Sequence, residues 1–272
     1  MIHRFSNLID ALNLDIPLSV VRMGNVEATQ MLLQSDKIYS QMNTNAGFFG
    51  TLKELKEWRK SMFLALVNAD LNLRVVSCPS FFVTDDVLNK LQLFVPTLPY
   101  VEDIEFWKSL IINLNTNNLC FVSYFAEEMN QRKSLIKNKI FTDKKTEWHD
   151  TDPTLWKFVF SENTIKGNEP KDKTFTEVYQ DLLKRSLAAD AKVYFIACGC
   201  YGIALCDDLK KAGKKAIYVG GFLQLLFGLK GNRWKDRQLV TQYYNKHWKY
   251  PSKKPKNAEQ VEGWCYGGEE VK

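Results

Sequence analysis

Three short blocks in this chain set glycines where an apolar run gives way to a helical pattern: Val21-Arg22-Met23-Gly24-Asn25-Val26-Glu27, Cys198-Gly199-Cys200-Tyr201-Gly202 and Gly220-Gly221. Free backbone N–H groups at a helix start attract anions. A glycine there lets a phosphate approach the main chain without meeting a Cβ. The chemistry on offer is the binding of a phosphorylated ligand at adjacent strand-to-helix turns, where open α/β sheets hold their ligands. The plainer alternative is that Gly199, Gly202, Gly220 and Gly221 only make close strand–helix connections, because no complete dinucleotide fingerprint is present.

The side chains beside these glycines widen the choice. Arg22 offers a fixed fork of donors that suits phosphate, or a partner for an acid within the sheet. Glu27 follows the end of a predicted strand, where it can act as a metal ligand, as a general base, or simply as an acid in the first turn of a helix. Tyr201, at a helix start, can stack on a base, donate to a phosphate or pack. Glu262 sits in an aromatic, glycine-flanked segment near the C-terminus. It reads as a second base candidate on a tail folded over the cleft. His3, His149 and His247 are too scattered for a metal cluster or a Ser-His-Asp arrangement.

The elements that must hold these residues alternate. Apolar runs at Leu18–Arg22, Leu73–Ser77, Leu119–Ser123, Trp156–Phe160, Val193–Ala197 and Ala216–Val219 read as strands. Helical periodicity covers Phe5–Leu12, the stretch from Glu27 to Leu33, Leu52–Asn68, Thr84–Leu91, Glu105–Leu114, Ala126–Lys133, Phe175–Ala188 and the stretch from Gly202 to Ala212. Pro96 and Pro99 read as chain breaks. Parallel neighbours need crossover helices, so this order predicts an α/β, Rossmann-like, mostly parallel sheet with helices on both faces. A polar stretch over 164–173 marks an exposed loop and a conceivable border between half-sheets within one domain spanning 1–272. The aromatic loop Tyr39–Phe49 reads either as a lid or acceptor platform, or as a packed connection.

The bulk composition sets limits. With 272 residues, 45% hydrophobic and 25% charged, the chain can bury a sizeable core. The net charge of +6 is spread without a long basic stripe. That pattern fits anionic small ligands and excludes nucleic acid as the expected partner. Six cysteines lack metal-site pairing. The absence of a signal-like or bilayer-length apolar run leads to the expectation of a reduced, cytoplasmic protein without a membrane span.

The turn Arg22-Met23-Gly24-Asn25-Val26-Glu27 resembles the R-x-G-D-x-E turn of glycosyltransferases with the GT-D fold, and the C-terminal half is similar to their bacterial relatives. Those relatives carry a glycine-Tyr-Gly turn, a GG-x-x-Q-x-x-FG-x-KG-x-RW block, an N-x-x-W-x-x-P segment and a closing E-G-x-x-Y. Here these are Gly199-Cys200-Tyr201-Gly202, Gly220 to Trp234 with Gln224, then Asn245, Trp248 and Pro251, and finally Glu262-Gly263-Trp264-Cys265-Tyr266. Ser123 to Glu128 and Gln131 join the likeness, which is densest from Asp190 onward. The resemblance implies a GT-D type transferase that moves a sugar from a nucleotide-sugar donor, uridine-linked, to a hydroxyl of a glycan acceptor. It places Gln224 near the ligand.

The same resemblance implies a divalent cation, manganese or magnesium, held by the acidic D-x-E element. The first acid of that element is Asn25 in this chain, so Glu27 is its only carboxylate and Asn25 has only a carbonyl to offer a metal. Lys230 and Arg233, with the N–H groups around Gly220-Gly221, form the alternative cationic route for stabilising a leaving diphosphate, or else a solvated loop. Two other readings stay open: a non-catalytic module that keeps the nucleotide-sugar cleft, and a different Rossmann-like nucleotide-dependent enzyme.

Overall fold

Seven apolar runs pair edge to edge, every neighbouring pair parallel, in the order β3-β2-β1-β7-β6-β4-β5. The computed structural model describes residues 8–24, 27, 36–75, 97–100, 102–142, 148, 150–261 and 266. In chain order the first half runs α1 (Leu8–Asn13), β1 (Leu18–Val21), α2 (Asp36–Gln41), α3 (Leu52–Asn68), β2 (Leu71–Val75), β3 (Thr97–Tyr100) and α4 (Ile104–Ile112). The rest runs β4 (Leu119–Ser123), α5 (Ala126–Arg132), β5 (Lys157–Phe160), α6 (Phe175–Ala188), β6 (Val193–Ala197), α7 (Gly202–Lys211), β7 (Lys215–Tyr218) and the short α8 (Gln238–Thr241).

The central strands are apolar at consecutive positions because both faces of the sheet are covered. Successive side chains then serve opposite cores. Phe121 and Phe195 face a core with α1, α4 and α5, whereas Cys120, Val122, Tyr194 and Ile196 face one with α3, α6 and α7. Phe121 sits in register with Phe195 on one side and Phe158 on the other, and the three rings stack at centroid distances of 5.4 Å. Two helices of the second layer start on complete capping boxes, Thr51 with Glu54 and Thr174 with Glu177. Each box satisfies two otherwise orphaned N–H groups.

The α/β parallel sheet expected from the sequence is what the chain forms, with helices on both faces. Three elements differ from expectation, the first being Asp36–Gln41, a helix that continues as a π-helix over Met42–Ala46 where the sequence reads as a loop. Thr97–Tyr100 is a strand although Pro99 lies in it, because β3 is an edge strand with β2 as its neighbour, and an edge tolerates a residue that lacks an N–H. Gly220–Phe227 winds as a 3-10 run and ends on Gly228 in a left-handed conformation. The sheet is continuous across the 164–173 loop, which joins the edge strand β5 to α6. The expected helix at Thr84–Leu91, the end of the strand after Val75 and most of the helix after Glu27 lie outside the described residues. Among the described residues no helix is long and apolar enough to cross a membrane.

Which face each connection takes decides where clefts open. The chain leaving β1 and β6 enters the core with α3, α6 and α7, whereas the chain leaving β4 and β7 enters the opposite core. Neighbours β1 and β7 therefore diverge, and so do β7 and β6, and β6 and β4. Diverging connections at the carboxyl ends of the strands are where open α/β sheets place their ligand clefts.

Candidate functional site

The β1/β7 crevice is built by residues that follow directly on the two strand ends. Gly220, one residue past Val219, adopts a left-handed φ of +73°, and a Cβ there would lie 2.8 Å from Nη1 of Arg22. The glycine thus leaves the space that the guanidinium fills. Gly24 does the same for Glu27, whose carboxylate folds back into the volume a Cβ would need. Gly202 lies so close to the ring of Tyr218 that no side chain fits between them. Tyr218 donates its hydroxyl to the carbonyl of Gly199 at 2.9 Å, which ties the end of β7 to the turn after β6.

Burial dominates the electrostatics of this cluster. Glu27 is only 7% exposed. Burial pushes its carboxyl above the usual range, while a bond to its own backbone N–H and the positive charge of Arg22 pull partly the other way. The Tyr218 hydroxyl is held far above its ordinary value by burial and then by the Glu27 charge. Burial likewise raises the Cys200 thiol, with Glu27 adding to it, so this cysteine is a packed thiol and not an activated nucleophile. The arrangement sets a guanidinium against the turn at Gly220 with a buried, protonatable carboxyl nearby, a pairing suited to anion contact and proton exchange.

The β4/β6 crevice holds a recess of about 70 Å³ lined by Tyr124, Glu162, Asn163, Gly199, Tyr201 and Tyr266. At roughly 30 Å³ per water this is room for about two waters and not for a sugar ring. Asn163 donates to the Tyr266 hydroxyl at 2.6 Å, and Tyr266 meets Tyr124 edge-on. The E-G-x-x-Y tail thus returns to the rim through Tyr266. Glu262 and Asn25 lie outside the described residues. The ammonium of Lys253 sits 4.3 Å from the Phe160 ring centroid and 5.0 Å from that of Tyr124.

Other residues singled out in the sequence are engaged elsewhere. Tyr201 is 2% exposed. Its hydroxyl is 2.9 Å from that of Thr164, and its ring stacks on Phe175 at 4.8 Å. Gln224 is buried and donates to the carbonyls of Leu229 and Lys230, which closes the loop after the 3-10 run. Lys230 lies over the rings of Tyr244 and Tyr250, and Arg233 lies 3.5 Å from Glu102, which Arg237 also contacts. Gly221 follows Gly220 into the 3-10 run. The aromatic loop resolves as a packed connection: Phe48 packs on Phe175 and Trp58, while Ala46 and Gly47 reach the β4/β6 recess.

Sequence reasoning passed over Tyr218, Asn163 and Thr164. Tyr218 looks like the last residue of an apolar strand, and the other two sit in a polar loop with no periodicity. It also gave no role to the α5 pair that fixes the tail. Glu128 accepts the N–H groups of Ser252 and Lys253 at 3.0 and 3.1 Å, and Arg132 donates to the carbonyls of Phe227, at 2.7 Å, and His247. Asn245 and Trp248 both donate to the Ile140 carbonyl at 3.1 Å. The N-x-x-W-x-x-P segment is therefore a strap latched onto α5 and the turn after it.

Among the described residues this cluster offers a divalent cation a single carboxylate, that of Glu27. Among the described residues no three His, Cys, Asp or Glu side chains converge on a point that could hold a metal ion. Glu27 offers one carboxylate, already under the influence of the Arg22 charge. A second cation at that position would face repulsion from the first.

The chain matches no family model, no curated protein and no solved structure.

Proposed function

We propose that this protein is a glycosyltransferase that takes its sugar from a nucleoside-diphosphate donor, uridine-linked, and passes it to a hydroxyl of a glycan acceptor. The observation that carries the reading is the meeting of Arg22, Glu27 and Gly220 in one cluster at the carboxyl rim of a parallel sheet. The resemblance of the same turn to the R-x-G-D-x-E element of GT-D transferases supplies the substrate class.

In this mechanism the donor diphosphate lies against the guanidinium of Arg22 and the amides at Gly220-Gly221. As the bond between the anomeric carbon and the phosphate oxygen breaks, negative charge grows on that oxygen, and fixed donors stabilise it without reorganising. The acceptor oxygen forms the new bond to the anomeric carbon and its proton passes to the Glu27 carboxylate. Burial raises the affinity of Glu27 for that proton. No step runs through a metal ion. Lys230 and Arg233, held by Tyr244 and Tyr250 and by Glu102, take no direct part in this mechanism.

A panel of uridine diphosphate sugars tests the reading through release of free uridine diphosphate, with and without a chelator. Slow hydrolysis of at least one donor is expected, undiminished by the chelator and abolished in Glu27→Gln. If no donor is turned over although uridine diphosphate binds, the protein is a nucleotide-sugar-binding module; Asn25, standing where the D-x-E element has an acid, favours that second reading.

A further inference from the structure

The helical layer that packs α3, α6 and α7 together leaves a groove of about 250 Å³ along α7, on the side of the sheet away from the tail strap. Its floor and walls combine buried aromatic surface with acid. Trp58 is buried and uses its indole N–H on the Cys200 carbonyl at 3.0 Å, so it presents carbon to the groove. Leu64 stands on the wall at 45% exposure. Glu57, Asp207 and Asp208 supply negative charge, in a chain whose net charge is +6.

Asp207 is the residue that needs an explanation. It lines the groove at 3% exposure, and its Oδ1 has no hydrogen-bond partner among the described residues. A carboxylate oxygen withdrawn from water without a donor is costly, and native structures keep few of them. Its other oxygen is held by the ammonium of Lys211 at 2.6 Å, and Lys211 also reaches Asp208 at 3.2 Å. Asp208 accepts the Tyr179 hydroxyl at 2.5 Å, which fixes its orientation. The pair already grips an alkylammonium from its own chain. That ammonium comes from a side chain 59% exposed, free to swing outward.

We propose that this groove binds a small primary alkylammonium, with the charged head on Asp207 and Asp208 in place of Lys211 and the apolar stem along Trp58 and Leu64. The volume suits a ligand of about eight heavy atoms at roughly 30 Å³ for each water-sized group. The groove meets the Arg22–Glu27 cluster only at the packed Cys200, which is no part of the head or stem contacts, and its test needs neither nucleotide nor sugar. Its outcome is therefore separate from the transferase reading.

The probe is n-hexylamine, titrated calorimetrically into the full chain at low ionic strength, with n-hexanol as the neutral control. Hexylamine is expected to bind saturably, at least 10-fold more tightly to Lys211→Met, which loses the internal competitor, and at least 10-fold more weakly to Asp207→Asn. Hexanol is expected to show no saturable binding. The proposal is overturned if Lys211→Met gains no affinity, if Asp207→Asn binds like the parent protein, or if hexanol binds as well as the amine. Circular dichroism checks that the variants are folded. Should Asp207→Asn not fold, the comparison of Lys211→Met with the parent, for amine against alcohol, decides by itself.

Discussion

Glu27 keeps a carboxyl in a place where its charged form is disfavoured, and this has a consequence for stability as well as for the proposed proton transfer. Its folded pKa lies above the unfolded value, so the stability it contributes is complete at low pH and is lost as pH rises from the unfolded pKa through the folded one. Glu27→Gln removes this loss. Thermal unfolding of the variant and the parent is expected to coincide near pH 4 and to separate toward pH 7, where the variant melts a few degrees higher while lacking donor turnover. A variant that melts lower at pH 7 would mean that the carboxylate is a structural partner of Arg22. The position of Arg22 was legible as the polar residue that closes an apolar run, and that of Glu27 as the acid that opens the helical stretch after it. Tyr201 was less legible. Thr164 arrives from a distant loop and Phe175 from the start of α6 to cover it, and nothing in its local pattern announces them.

At the scale of elements, α5 acts as the post to which the C-terminal strap is tied. Burial by itself would raise the Glu128 carboxyl, but the N–H groups of Ser252 and Lys253 and the ammonium of Lys249 together hold it below the usual range. Its contribution is present above the unfolded pKa and is lost as pH falls through the folded one. Hydrogen bonds to a charged group contribute about 1.5–3 kcal/mol each. Glu128→Gln is therefore expected to lower unfolding free energy by about 2 kcal/mol in urea titrations at pH 7. Trypsin should cut at Lys249 and Lys253 faster in the variant; unchanged proteolysis would show that the strap is held by other contacts. Six of the seven strands could be read from apolar runs bounded by turn residues. The strand at Thr97–Tyr100 could not, since Pro96 and Pro99 signal a break and only its edge position makes Pro99 acceptable.

At the scale of the whole molecule, strand order does what no single motif does. The turns after β1 and β7 lie almost two hundred residues apart in sequence, and parallel pairing of Leu18, Ser19 and Val20 with Lys215, Ala216 and Ile217 brings them to one rim. Alternation of strands and helices made a parallel sheet legible, but the order of strands follows from long-range pairing that periodicity does not encode. The resulting rim carries Arg22 and Gly220 in a chain of net positive charge, and the proposed donor site there is expected to favour anions over neutral nucleosides. Calorimetric titration of uridine diphosphate into the parent protein and Arg22→Gln, with uridine alongside, tests this most directly. Saturable binding of the diphosphate, at least 10-fold weaker in Arg22→Gln and absent for uridine, is the expected result. Equal binding by the parent and Arg22→Gln, or uridine binding as tightly as its diphosphate, would contradict it.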